Sequence, residues 1–127
     1  MNEDKINLPP QNIDAEVSVL GALLIDKEAI VKIADIVKPE DFYKEIHGTI
    51  YQAMVKLYEE REPIDVITLT NKLSEMKKID QVGGHSYIAS LAASVSSAAH
   101  IINYAHIVAD KAVLRRLIRA SGEIADL

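Results

Sequence analysis

The 127 residues contain no cysteine and no tryptophan, and only one phenylalanine. Without cysteine there is no disulfide framework, no zinc-thiolate site and no thiol nucleophile. Proline and glycine are scarce, four and five respectively, so few positions force the chain out of regular structure. No apolar run approaches the ~20 residues that a membrane-spanning helix needs, and the polar, acidic first residues do not read as a signal peptide. No Gly-x-x-x-x-Gly-Lys loop is present to cradle nucleotide phosphates, so the chain is expected not to hydrolyse ATP. These absences fit a cytoplasmic protein and leave no obvious enzyme.

What is present is enough to build one core. The apolar fraction is 49% and the charged fraction 26%, a composition that excludes disorder as the default. The net charge of −5 is unevenly spread. Residues 1–96 hold ten Lys/Arg against sixteen Asp/Glu, whereas residues 97–127 hold four against three. Lys111, Arg115, Arg116 and Arg119 form a basic cluster on an otherwise acidic chain. Nucleic-acid backbone is held by broad cationic faces, so direct DNA binding is not expected. Cations near a helix end also complement the helix dipole and acidic neighbours.

The apolar spacing is helical almost throughout. Residues 1–12 read as a flexible arm containing Pro9-Pro10, which cannot sit inside a helix. Asn12 to Asp14 offer N-capping chemistry for a helix over 13–25, whose Val17, Val19, Leu20, Leu23 and Leu24 place it at the centre. Gly21 inside that helix costs stability relative to alanine, which a close helix crossing would explain. Asp26 is placed to cap a second helix reaching Val37, with Ile30, Ile33, Ala34 and Val37 inward. Pro39 to Tyr43 form a proline-led turn that starts a third helix running to about Glu60 on an Ile46, Ile50, Met54, Leu57 stripe.

Pro63-Ile64-Asp65 starts a fourth helix capped by Asp65. Val66 to Thr70 is β-branched enough for a strand, but the Val66, Leu69, Leu73, Met76 spacing favours helix. Gly83-Gly84 make a turn before a short helix through Tyr87, Ile88, Leu91 and Ala92, and Ser96 or Ser97 caps the last one. The expected fold is all-α: a helical head of about five helices plus a long C-terminal helix. The expected core is Val19, Leu20, Leu23, Leu24, Ile33, Ile50, Met54, Leu69, Leu73 and Leu91.

Candidate chemistry is sparse. His47, His85, His100 and His106 lack a compact metal-ligand spacing with carboxylates, so no metal is expected. Glu59, Glu60, Glu62 and Asp65 lie at a helix end and loop, where they read as solvated surface and cap. Ser94, Ser96 and Ser97 have no evident base beside them. Gly83-Gly84 lack a following lysine and read as a turn rather than an anion site.

The most informative segment is the last helix. At about 100° per residue, Ile101, Tyr104, Ala105, Val108 and Ala112 form one stripe. Further along, the same face becomes Arg115, Arg116 and Arg119. Leu114, Leu117, Ile118, Ile124 and Ala125 lie roughly opposite, about 180° around the wheel. The first half is suited to pack on the preceding body, and the second half calls for something outside these residues. The chain therefore reads as a fragment with an interaction surface at its far end.

An ordered set of short motifs resembles the opening of the bacterial replicative hexameric DNA helicases, the DnaB type. It starts with Pro9-Pro10-Gln11-Asn12-Ile13-Asp14-Ala15-Glu16 and Ser18-Val19-Leu20-Gly21. It continues through Pro39-Glu40-Asp41-Phe42-Tyr43, His47, Ile50-Tyr51, Ala53-Met54, Pro63-Ile64-Asp65, Thr68-Leu69, Val82-Gly83-Gly84, Tyr87 and Leu91-Ala92. It ends with Ser97-Ala98-Ala99, Tyr104-Ala105, Ile107-Val108 and Leu114-Arg115-Arg116-Leu117-Ile118. Capping or core packing explains each motif alone, but not the ordered set, which covers all but the first eight residues.

The resemblance implies a helical head over 13–96 and, over 97–127, the first arm of a truncated helical hairpin. It implies hairpins that pair between subunits, three dimers forming a collar on a hexamer, and a platform for the C-terminal domain of primase and, in some lineages, a helicase loader. ATP, Mg and the DNA motor would belong to an absent C-terminal domain of the parent. The residues assigned to a primase or subunit interface are Tyr87, Leu114, Arg115, Arg116, Leu117, Ile118, Arg119 and Ile124. Two other readings remain open at this level. One is a generic all-α regulatory or DNA-binding module; the other is a small helical enzyme with convergent carboxylates or histidines in a deep cavity.

Overall fold

In the computed structural model, residues 8–125 are described, and these hold six α-helices and no strand. They are α1 (Ile13–Ile25), α2 (Ala29–Ile33), α3 (Glu45–Glu59), α4 (Val66–Glu75), α5 (Gly84–Ala93) and α6 (Ile101–Ala125), with one 3₁₀ turn at Pro39–Asp41. The all-α expectation holds. Helix α1 is the central rod: it packs against α2, α3, α5 and α6, and Val19, Leu20 and Leu23 on it have no exposed surface. All ten residues expected in the core are buried.

The starts of these helices follow local chemistry. The Asn12 side chain accepts the Ala15 N–H at 2.9 Å and so caps α1. Asp65 accepts the Thr68 N–H at 2.8 Å while the Thr68 hydroxyl accepts the Asp65 N–H at 3.0 Å, a reciprocal cap for α4. Segment 66–70 is thus helical: the Leu69 and Leu73 face is fully buried, and that outweighs β-branched propensity. Gly83 and Gly84 have φ of +105° and +71°, left-handed values that favour glycine at both positions of the turn into α5. Gly21 lies where α1 crosses the end of α5. A Cβ there would stand 2.5 Å from the Leu91 carbonyl oxygen, so the expected close crossing is real.

Three boundaries differ from expectation. Helix α2 ends at Ile33 rather than Val37, and the chain continues as turns to Ile36. Asp26 accepts the Glu28 N–H at 3.0 Å, shaping the approach, while Glu28 occupies the N-cap. Pro39–Asp41 forms its own short turn, and α3 starts later, at Glu45. Helix α6 starts at Ile101, four positions beyond Ser97, because the Ser97 hydroxyl accepts the Ala99 N–H at 3.0 Å and stabilises a turn instead.

Candidate functional site

Helix α6 carries the two stripes that its sequence suggests. Ile101, Ala105, Val108 and Ala112 are buried against α1 and α2. From Val113 to Gly122 no residue is buried. Leu114, Leu117 and Ile118 are 44%, 61% and 59% exposed, and their i, i+3, i+4 spacing puts them on one outward face. Scattered exposed apolar residues are ordinary, whereas these three adjoin one another on a single helix face. Ile124 lies outside the residues whose side chains are described.

The arginines are placed differently. The Arg115 guanidinium donates to the Pro10 carbonyl at 2.8 Å and to the Asp41 carbonyl at 2.7 Å, and lies 5.5 Å from the centre of the Tyr43 ring. Arg116 meets Asp41 Oδ1 at 3.0 Å, while Asp41 Oδ2 accepts the Lys38 N–H at 2.9 Å. Arg115 and Arg116 therefore fasten α6 to the 3₁₀ turn and to the segment that enters α1. Arg119 joins them and Glu40 around a small surface depression, and it is exposed.

Tyr87 is drawn inward rather than toward α6. Its hydroxyl meets His47 Nε2, and His47 Nδ1 meets Glu16 Oε1 at 2.8 Å. Glu16 also accepts the Tyr43 N–H at 2.6 Å and the Lys44 N–H at 3.3 Å. Glu16 and His47 are 1% and 0% exposed. Three donors converge on Glu16 beside the N-terminus of α3, which has no side-chain cap of its own. That arrangement is what makes a buried carboxylate tolerable. His47 thus bridges Glu16 and Tyr87 through its two ring nitrogens. Burial, followed by the nearby Glu16, raises the Tyr87 pKa.

Glu16, His47 and Asp41 are buried polar residues that the sequence shows as members of the ordered motifs, without the bracing contacts they make. A signal was there: Glu16 lies three and four positions before Val19 and Leu20, and His47 three before Ile50, so each sits on a buried stripe. Their partners lie 31 and 40 residues apart in the chain, which no spacing rule connects. Two surface clefts lie away from Glu16 and His47. One of about 300 Å³ is lined by Leu57, Glu60, Lys72 and Glu75, and one of about 460 Å³ by Pro39, Phe42, Gly48 and Gln52. Lys72 bonds Glu60 at 2.7 Å, so that carboxylate cluster is partly neutralised. Among the described residues no three of His, Asp and Glu gather as metal ligands would, and no helix is long and apolar enough to cross a membrane.

The described residues thus form a helical body with a clamped arm and an outward apolar face. The DnaB-like helicase N terminal domain model matches residues 8–110, and the chain belongs to that family. It is 44% identical over 118 residues to the replicative DNA helicase DnaB of Geobacillus stearothermophilus. It is 45% identical over 118 residues to the replicative DNA helicase DnaC of Bacillus subtilis. Each match takes in 93% of this chain and 26% of the relative, so the chain spans about a quarter of the length of these curated relatives.

Among solved structures it is similar to the N-terminal domain of DnaB helicase from Mycobacterium tuberculosis, with a TM-score of 0.91 and 39% identity over 94% of this chain and 83% of that one. It is also similar to a DnaB-like replicative helicase whose structure was described with its interactions with primase. There the TM-score is 0.80 and the identity 30%, over 91% of this chain and 27% of that one.

Proposed function

We propose that this chain serves a replicative DNA helicase as its assembly and docking domain. In this reading it is a head over 13–96 with a hairpin arm over 97–127. The outward face of α6 pairs with a returning second helix, hairpins pair between subunits, and three such pairs form a collar on a hexamer. The collar receives the C-terminal domain of primase and, where one exists, a loader. ATP with Mg, and the unwinding of duplex DNA in the cytoplasm, belong to the rest of the protein. The observation that carries this is the exposed Leu114, Leu117 and Ile118 face on the far half of α6. Membership of the family and the similarity to a helicase described with primase support it.

The test compares this chain with one extended far enough to return a second helix as long as α6, which has 25 residues. Each is titrated with primase C-terminal domain, and sedimentation follows the oligomeric state. The extended chain is expected to self-associate and bind. In it, Ile118→Ala and Tyr87→Ala should weaken binding by roughly thirtyfold, the effect of losing about 2 kcal/mol at an interface anchor. Tyr87→Phe separates loss of the ring from loss of the His47 contact. If the variants bind like the parent, docking lies elsewhere. If binding falls only where the oligomer dissociates, these residues build the collar and do not touch primase.

A further inference from the structure

Two polar assemblies meet at residues 41–44. On the inner side Glu16 holds the Tyr43 and Lys44 N–H groups and, through His47, Tyr87. On the outer side Arg115 and Arg116 hold Asp41, and the Arg115 guanidinium lies near the Tyr43 ring. From Val113 to Gly122 helix α6 has no buried residue, so over that stretch it is not held by apolar packing on the body. The helix continues unbroken from its packed first half, and past Ala112 Arg115 and Arg116 tie it to the body.

We propose that Arg115 and Arg116 form a polar latch that holds the far half of α6 against the body and limits its bending and opening, and that buried Glu16 is the positioning residue for the latch because it fixes segment 41–44. Tyr87 at the surface of α5 and the far half of α6 are thereby coupled through one four-residue segment. The coupling is one of conformation and is independent of which partner covers α6. The Arg116 end is the releasable part: its side chain is 54% exposed, so its ion pair with Asp41 weakens with salt. Arg115 donates to uncharged carbonyls, which salt leaves largely untouched.

The chain has no cysteine, so paired spin labels are introduced cleanly by Gln52→Cys on α3 and Ser121→Cys on α6, both exposed positions. The parent is expected to give one narrow distance distribution that broadens with added salt. Arg116→Met should be broad at low salt and insensitive to more. Arg115→Met should broaden it further and raise amide exchange over residues 113–122 at least about threefold. Glu16→Gln, acting from the inner side, should reproduce that broadening.

Tyr87→Phe keeps the ring and removes the His47 contact, so it keeps the proposal testable should Glu16→Gln fail to fold. It is expected to raise exchange over 113–122 in the parent and to add nothing in the Arg115→Met background. Distances and exchange unchanged by Arg115→Met overturn the latch. Effects of Tyr87→Phe and Arg115→Met that simply add overturn the coupling.

Discussion

Gly21 shows how one missing methyl group directs packing. Alanine ordinarily favours a helix interior by ~1 kcal/mol over glycine. Here the added Cβ would lie 2.5 Å from the Leu91 carbonyl oxygen and 3.0 Å from a Val95 methyl. Backbone cannot move aside as a flexible side chain can, so Gly21→Ala should lower stability by about 1–3 kcal/mol in denaturant unfolding. An increase would mean that the Leu91 backbone yields to the added methyl group. Tyr51 makes a second residue-level prediction. Its buried hydroxyl donates to the Val37 carbonyl at 2.9 Å, and burial, then the charge of Asp41, push its pKa well above the ordinary 10.0. The folded state therefore holds the phenol proton more tightly than the unfolded state. Stability from this group is fully present below pH 10 and falls as pH rises beyond it. Unfolding midpoints followed into alkali should decline there, and less steeply in Tyr51→Phe. That variant begins about 1–3 kcal/mol less stable, because the Val37 carbonyl is left unpaired.

At the level of the element, helix ends rather than interiors carry the adjustable energy. Helices α3 and α4 each finish with a non-glycine residue in the left-handed region, Arg61 at φ +61° and Lys77 at φ +59°. The N–H groups of Glu62 and Lys78 reach back to the Leu57 and Leu73 carbonyls at 2.8 Å, closing each helix as a glycine usually does. Lys77→Gly should therefore raise the unfolding free energy by about 0.5–1 kcal/mol, the relief of left-handed strain less the entropy glycine adds to the unfolded chain. At the other end of α4, Asp65→Ala should cost about 1 kcal/mol through loss of the reciprocal cap with Thr68. Thermal unfolding of the pair checks both signs.

Across the whole molecule, α6 divides the labour. Its first half completes the core, and its far half presents Leu114, Leu117 and Ile118 to solvent. A face that does not hold the body together can change without unfolding it. Leu117→Glu with Ile118→Glu should leave the stability of this chain within about 0.5 kcal/mol of the parent. In the extended chain the same pair should abolish self-association, measured by sedimentation. A large loss of stability in the short chain would show that the far half of α6 packs on the body after all.

How much was legible follows from the range of the forces concerned. Periodicity located all six helices, Asn12 and Asp65 declared their caps, and the ten core positions were readable from stripes, because capping and amphipathic burial act between residues three or four apart. The turn at Gly83-Gly84 was legible for the same local reason, as was the reversal of face along α6; a glycine inside a helix signalled the close approach at Gly21, but not its distant partner Leu91. Helix boundaries shifted where a side chain found a nearer partner, as Ser97 did with Ala99. The Glu16, His47 and Tyr87 brace, and the capture of Arg115 and Arg116 by Asp41 and Pro10, depended on tertiary structure alone. Their partners come from distant segments of the chain, and only folding brings such groups together and encloses Glu16 and His47 where each hydrogen bond must be satisfied. The sequence by itself determined which faces are apolar; the fold decided which charges those faces would enclose.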